Sequence, residues 1–239
     1  MHANGWGITT SHSVACKGMI ECYPNLGGAE VMYRILFLLS LLAAFTWAQS
    51  DGFVSLMPKA NLSEFWTTET SPPNTWSLEN GVIAGKGNPQ GVLRSLKTYK
   101  NFVLRCEIRF KTEGWTKAPK EWPNGGVFIF ASKELREKYP RWPKSFVEIQ
   151  GHYGEIASAF NGNLKGAIRF EVVPPDQHGP FGEWDRLEVA TQNGEVRIKL
   201  NGKEVNKGSG ADPMEGYICL QSEGWPVYYR NVEIKVLPD

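Results

Sequence analysis

The sequence predicts an all-β fold, an antiparallel β-sandwich, on three observations. From residue 50 onward, short apolar segments alternate with polar residues at period two, as expected for strands with one buried face. Asn80-Gly81, Asn193-Gly194 and Asn201-Gly202 are dipeptides that favour two-residue hairpin turns. Helical spacing is confined to residues 133–138, one or two turns. About a dozen short strands with little helix indicate a sandwich or barrel.

The best-patterned strand is predicted at residues 101–111. Its even-numbered residues from Phe102 to Phe110 are apolar, while Arg105, Glu107 and Arg109 share the other face. The same reasoning predicts a hairpin at 76–85, a loop with one helical turn at 61–66, and a loop rich in tryptophan and proline at 112–124. Further strands are predicted at 53–56, 92–95, 125–130, 145–153, 167–172, 184–191, 195–200, 216–221 and 227–237.

The N-terminal residues resemble a secretion signal placed after an extension. Arg34 precedes an apolar run at 35–45, and residues 46–48 fit a cleavage pattern before Gln49. We therefore expect 1–31 to be an upstream extension with Met32 as the true start, 32–48 a signal peptide, and 49–239 one exported domain, periplasmic or secreted. The alternative is an uncleaved N-terminal anchor, which would hold the protein at a membrane.

Charge and cysteine content exclude several classes of partner and cross-link. The formal net charge is +1, with basic and acidic residues interspersed, which argues against nucleic acid or an anionic membrane surface as partner. The predicted mature domain contains Cys106 and Cys219. Cys106 continues an apolar alternation, so we expect a small core residue and two free thiols rather than a disulfide.

The strand at 145–153 carries a polar row. Val147 and Ile149 point to one side, whereas Glu148 and Gln150 point to the other, followed in step by His152. A carboxylate, an amide and an imidazole on one face favour a binding or catalytic groove, because a buried apolar face would reject them. The alternatives are a solvated strand face, a cross-strand pairing of Glu148, and a loop position for His152.

Several motifs recur in an order typical of one family. They are Trp76…Asn80-Gly81-Val82-Ile83, Phe102-Val103-Leu104…Glu107, Asn124-Gly125-Gly126-Val127-Phe128, Val147-Glu148-Ile149-Gln150, Gly182-Glu183-Trp184-Asp185, Leu200-Asn201-Gly202, Gly216-Tyr217-Ile218-Cys219-Leu220-Gln221 and Arg230-Asn231. Between residues 52 and 234 the chain resembles the 3-keto-disaccharide hydrolase family, whose fold is a concanavalin A-like jelly roll. It departs from the family's usual Asn-Ser-Gly at 124–126 and Trp-Asn at 184–185.

The resemblance implies cleavage of a 3-keto-glycoside, an oxidised carbohydrate. A ketone at C3 acidifies the C2 hydrogen, so a base can remove it, the C1 substituent can leave, and water can add back. We expect Glu148 to act as base or acid and His152 as its partner, with Arg230, Arg109 or a bound cation holding the C3 oxyanion. A conventional retaining mechanism needs two carboxylates, and the row at 148–152 has one.

Substrate binding is expected from Glu107, Arg109, Asn124, Gln150 and Gln221, and from the tryptophans Trp122, Trp142 and Trp184. Each has a structural alternative: the two glutamines could satisfy each other, and the tryptophans could fill gaps in the sandwich. Arg230, expected to face inward with its strand, could pair with Glu107 or Glu148.

No metal motif is evident, although a divalent cation held by backbone carbonyls would leave no trace in a sequence. No other cofactor is evident. The alternative functions are a non-catalytic carbohydrate-binding module and a structural or adhesive domain.

Overall fold

The computed structural model describes residues 51–112, 123–138, 142–164, 170, 177–212 and 214–239. Contacts divide the chain into the units Met1–Gln49 and Ser50–Asp239, and the described residues belong to the second. The predictions for residues 1–50 and for Trp122 lie outside these ranges, as does the strand predicted at 167–172 except for Phe170, which has no regular structure. No helix within the described ranges is long and apolar enough to span a membrane.

The described residues form two antiparallel sheets packed face to face, which confirms the predicted sandwich. One sheet has eight strands in the order β12-β11-β10-β6-β14-β4-β3, with β1 also pairing with β14, and the other has six in the order β2-β5-β13-β7-β8-β9. The strands are β1 (Val54–Ser55), β2 (Trp66–Thr67), β3 (Trp76–Glu79), β4 (Val82–Gly85), β5 (Gly91–Tyr99), β6 (Phe102–Phe110), β7 (Asn124–Ala131), β8 (Phe146–Gln150), β9 (Ala159–Gly162), β10 (Asp185–Gln192), β11 (Glu195–Leu200), β12 (Lys203–Ser209), β13 (Gly216–Glu223) and β14 (Val227–Val236).

The core lies between the sheets, and each sheet also has an outer face. In β6 the even-numbered residues from Phe102 to Phe110 are buried and the odd ones are half-buried, as the sequence predicts. In β8 Val147 and Ile149 enter the same core, so Glu148 belongs to the outer face of the six-stranded sheet. Because packed sheets are about 10 Å apart, the two outer faces are separated by more than that thickness.

Local turn chemistry matches the sequence in detail. Asn80, Asn193 and Asn201 all have positive φ, as do the glycines that follow them, and each pair closes a hairpin. A single 3-10 turn at Leu62–Glu64 confirms the helical turn predicted at 61–66. Cys106 and Cys219 are both buried and free, as expected.

The helix predicted at 133–138 is wrong. Leu135 forms an isolated antiparallel bridge with Pro143, and the Arg136 amide donates to the Trp142 carbonyl at 2.8 Å. Residues 132–138 and 142–145, which we call the cover loop, therefore fold back on themselves between β7 and β8. Trp142, only 8% exposed, packs edge-on against Phe128 with the ring centroids 5.7 Å apart. Burial of this indole outweighs the weak local preference for helix.

The inward orientation expected for Arg230 is also wrong. Arg230 pairs with Glu107, but Glu233 pairs with Arg105, so β14 advances by three residues while β6 advances by two. This β-bulge contains Asn231, which has a φ of 50°. The alternation changes phase at the bulge, so Val232 is buried while Arg230 keeps 41% of its side chain exposed.

Candidate functional site

A polar cluster lies on the outer face of the six-stranded sheet, where β13, β7 and β8 are neighbours. Gly126 of β7 pairs with Gln150 on one side and with Gln221 on the other. Asn124 pairs with Glu223 at the end of the β7–β13 ladder. The structure thus brings together four residues from three separate segments of the sequence, Asn124, Glu148, Gln150 and Gln221, and adds Glu223.

One amide joins the two carboxylates of the cluster. The Gln221 Nε2 group donates to Glu148 Oε1 at 3.1 Å and to Glu223 Oε2 at 2.8 Å. The amide orientation follows from these contacts, because a carbonyl oxygen facing two carboxylates would be repelled. Asn124 Nδ2 donates to the same Glu223 oxygen at 2.9 Å. Within the part of the chain that the structure describes, Glu223 therefore accepts two hydrogen bonds and Glu148 one.

The missing side chain of Gly126 makes this arrangement possible. Gly126 has a φ of +138°, and an added Cβ would lie 2.5 Å from the Ile149 carbonyl oxygen and 3.2 Å from Gln221 Oε1. The Gln221 side chain thus crosses β7 above Gly126 to reach Glu148 on the next strand. Gln221 is only 2% exposed, and its buried Oε1 atom has no hydrogen-bond partner among the described residues.

A tyrosine supports the cluster from the core. The Tyr229 side chain reaches across the sandwich, where its hydroxyl accepts from the Gly126 N–H at 2.9 Å and donates to the Gln221 carbonyl at 2.6 Å. Burial raises the pKa of Tyr229, so this hydroxyl stays protonated. It fixes the backbone of β7 and β13 directly beneath the bridging amide.

The carboxylates are electrostatically perturbed. Burial raises the pKa of Glu148 to about 7; the hydrogen bond from Gln221 offsets part of that rise, and the charge of Glu223 adds to it. Burial also raises the pKa of Glu223. Both side chains are half-buried, hence still accessible to a ligand. A carboxyl group that titrates near neutral pH is suited to proton transfer.

His152 lies just beyond β8 and continues its ladder. The amides of Gly151 and Tyr153 both donate to β7-side carbonyls at 2.9 Å, so the alternation carries His152 to the same face as Gln150. The His152 amide donates to Gln150 Oε1 at 3.0 Å, which ties the Gln150 side chain to this turn. Burial lowers the pKa of His152, so its imidazole is neutral at pH 7.

Apolar packing closes the part of this face next to the polar cluster. Phe128 and Phe146 stack with their ring centroids 4.1 Å apart, and the cover loop places Trp142 against them. Trp142 was expected to stack on sugar, but its burial removes it from the exposed surface. The polar cluster stays accessible beside this packing, and Phe160 of β9, which pairs with Glu148, is 39% exposed next to it.

Four residues expected in the groove lie on the opposite side of the molecule: Glu107, Arg109, Trp184 and Arg230. Arg230 Nε donates to Glu107 Oε2 at 2.7 Å, which is one of the pairings considered from the sequence. The guanidinium carbons of Arg230 and Arg109 lie 4.1 and 4.7 Å from the Trp184 ring centroid. These contacts are on the outer face of the eight-stranded sheet, so these side chains cannot share a ligand with Glu148.

Glu223 is the residue that sequence reasoning missed. The strand predicted at 216–221 stopped two residues early, although Gln221 and Glu223 differ by the period of a strand. Extending the alternation by one step would have found a second carboxylate. Within the described ranges no three His, Cys, Asp or Glu side chains are grouped to hold a metal ion.

Comparison with known proteins agrees with the observed fold and identifies a protein family whose model matches most of this chain. The family model described as a 3-keto-alpha-glucoside-1,2-lyase-like domain matches residues 52–235. A 3-keto-disaccharide hydrolase from Bacteroides thetaiotaomicron is 24% identical over 215 residues, covering 69% of this chain and 71% of that protein.

Two solved structures share the jelly-roll fold. A protein from Parabacteroides distasonis, provisionally named a glycosyl hydrolase, has a TM-score of 0.61 at 20% identity and covers 80% of this chain and 96% of that one. The carbohydrate-binding module CBM66 from Bacillus subtilis has a TM-score of 0.52 at 14% identity, covering 71% and 94%. Since the family model spans nearly the whole unit Ser50–Asp239, the chain belongs to the 3-keto-alpha-glucoside-1,2-lyase-like domain family.

Proposed function

We propose that this protein cleaves 3-keto-glycosides, including 3-keto-disaccharides, by elimination followed by hydration, and that it acts as an exported enzyme. The observation that carries the proposal is the Glu148–Gln221–Glu223 arrangement on an accessible sheet face. The family description refers to a lyase for 3-keto-α-glucosides, and the Bacteroides thetaiotaomicron relative is named a hydrolase for 3-keto-disaccharides. Elimination accounts for the first name, and elimination plus hydration accounts for the second.

The chemistry needs modest catalytic groups because the substrate is already activated. The ketone at C3 delocalises the electron pair left when the C2 proton is removed, and the resulting enolate expels the C1 oxygen. A base, a proton donor for the leaving oxygen and a hydrogen-bond donor for the C3 oxygen complete the requirements. Glu148 titrates in the range needed for such proton transfer, and His152 and Gln150 supply nitrogen atoms beside it.

The proposed function is tested by incubating the protein, with and without a chelator, with a 3-keto-glucoside and following release of the C1 substituent. We expect release by the wild type and loss of about 10²–10⁴-fold in kcat/KM for Glu148→Gln on a substrate with an alkoxide leaving group. The matched control is Glu204→Gln, which makes the same change at an exposed residue of β12.

Two results would reject the assignment. Binding of sugar without product release would indicate a carbohydrate-binding module, and full activity of Glu148→Gln would remove Glu148 from the reaction. The chelator arm decides separately whether a cation takes part.

A further inference from the structure

We propose that Glu223 is the second catalytic carboxylate of this site: Glu223 removes the C2 proton, and Glu148 protonates the departing C1 oxygen. This assignment rests on the proposed function, because it divides the two proton transfers of that reaction between two residues.

The first argument is the separation of the two groups. Glu148 Oε1 and Glu223 Oε2 are 3.1 and 2.8 Å from the same Gln221 nitrogen. They are therefore at most about 6 Å apart, which is close to the 5–5.5 Å at which paired carboxyl groups of retaining glycosidases flank a sugar. The C1 and C2 atoms are adjacent, so two groups at this spacing can reach the C2 hydrogen and the C1 oxygen at the same time.

The second argument is the unequal hydrogen bonding of the pair. Among the described residues, Glu223 accepts from both Gln221 and Asn124, whereas Glu148 accepts from Gln221 alone. Hydrogen bonds donated to a carboxylate favour its ionised form, and a nearby negative charge disfavours ionisation of its neighbour. Burial raises the pKa of both carboxyl groups, and the additional hydrogen bond from Asn124 favours ionisation of Glu223 over that of Glu148. Glu223 is therefore the member better suited to act as a base, and Glu148 the member better suited to act as an acid. The pKa of about 7 for Glu148 agrees with this division.

The third argument is that the surrounding structure holds the Gln221 side chain in its position between Glu148 and Glu223. Gln221 is almost fully buried, and only a glycine at position 126 leaves room for its side chain to cross β7. The two hydrogen bonds that Gln221 Nε2 donates to the carboxylates hold this buried side chain in its crossing position. A solvated strand face would need none of these features.

The proton and electron transfers balance without a further reactant. Glu223 takes the C2 hydrogen as a proton, and the C–H electron pair forms the C1–C2 double bond through the enolate as the C1–O bond breaks. The leaving oxygen keeps that bond's electron pair and takes the proton of Glu148. In the hydration, the water oxygen bonds to C1 while ionised Glu148 accepts a proton from that water. Glu223 then returns its proton to C2.

The experiment compares two substrates whose leaving groups differ in their need for an acid. Methyl 3-keto-glucoside releases an alkoxide that must be protonated, whereas p-nitrophenyl 3-keto-glucoside releases a stable phenolate. For Glu148→Gln we expect kcat/KM to fall about 10²–10⁴-fold on the methyl substrate and far less on the p-nitrophenyl one. For Glu223→Gln we expect similar losses on both, because removal of the C2 proton precedes either departure.

The possible outcomes separate this inference from the proposed function. Near wild-type activity of Glu223→Gln on both substrates, with Glu148→Gln impaired, would overturn the inference and leave the function standing. If Glu223→Gln lost activity mainly on the methyl substrate and Glu148→Gln lost it equally on both substrates, the assignment of Glu223 as base and Glu148 as acid would be overturned. If the wild type cleaves neither substrate, the proposed function itself fails.

A second measurement avoids any dependence on the folding of Glu223→Gln. In Glu148→Gln the activity on the p-nitrophenyl substrate should still rise with pH as Glu223 ionises, whereas wild-type activity on the methyl substrate should fall above about pH 7, where Glu148 loses its proton. A flat profile in this variant would contradict a base role for Glu223.

Discussion

Replacing Glu148 with Gln should stabilise the fold at neutral pH while lowering the proposed activity on substrates with an alkoxide leaving group. Burial raises the pKa of Glu148 from 4.5 to about 7 in the folded protein. One pKa unit corresponds to about 1.4 kcal/mol, so ionised Glu148 reduces the free energy of unfolding by roughly 3 kcal/mol. Gln keeps the size and an acceptor for the Gln221 amide, but carries no charge to desolvate.

The sign of the pH dependence follows from proton binding. Below about pH 4.5 Glu148 is protonated in both states, and the wild type and the variant should be similarly stable. Between about pH 4.5 and 7 the folded state binds more protons than the unfolded state, so wild-type stability falls as the pH rises. Above about pH 7 the difference should stay constant.

Urea unfolding of both proteins between about pH 4 and pH 8 measures this difference, with Glu204→Gln as the control for loss of an exposed carboxylate. The control should show little change at any pH, because surface charge pairs contribute about 0–1 kcal/mol. A Glu148→Gln variant that is no more stable than the wild type at pH 7, or whose advantage does not vary with pH, would refute the reasoning.

Three further substitutions test the support of the site and its boundary. Gly126→Ala should lower the free energy of unfolding by about 1–3 kcal/mol more than Gly202→Ala, because the first Cβ collides with a β8 carbonyl and with Gln221 whereas the second meets nothing within 4 Å. Equal losses of melting temperature would contradict this. Tyr229→Phe leaves the buried Gly126 N–H without its acceptor and should cost about 1–3 kcal/mol in urea unfolding; an unchanged midpoint would be evidence against the bridge across the core. Arg230→Gln should leave kcat/KM on a 3-keto-glucoside within about twofold of wild type, since Arg230 is on the other outer face, and a tenfold loss would return it to the active site.

Local patterns allowed much of the fold to be predicted. The alternation in β6 and the Asn-Gly turns each depend on a few consecutive residues, and the structure confirms them. The short strands β9 and β12 were not predicted. The Ala159–Gly162 segment is short and mostly exposed, and Lys203–Ser209 is largely polar, so neither shows a clear apolar alternation.

The composition of the site depended on long-range pairing, which a single sequence does not specify. Glu148 and Arg230 both lie on well-patterned strands, but only the strand order shows that β8 and β14 belong to different sheets. The same order makes Gln221 and Glu223 neighbours of Glu148 across β7. The sequence likewise could not decide between a sugar-binding and a structural role for Trp142, because burial of this side chain depends on a loop that folds back on Phe128.

The bulge at Asn231 has a consequence for how this chain tolerates insertion and deletion. Strand β14 lies between β6 and β4, and Tyr229 on one side of the bulge and Val232 on the other both point into the core. Deleting Asn231 would place Tyr229 and Val232 two positions apart, so strict alternation would keep both in the core, whereas deleting a residue away from the bulge would turn the core side chains of one half of the strand toward solvent. The bulge is thus the place where this strand can lose one exposed residue without exchanging its two faces, and a sequence alignment that places a gap at this point keeps both halves of β14 on their observed faces.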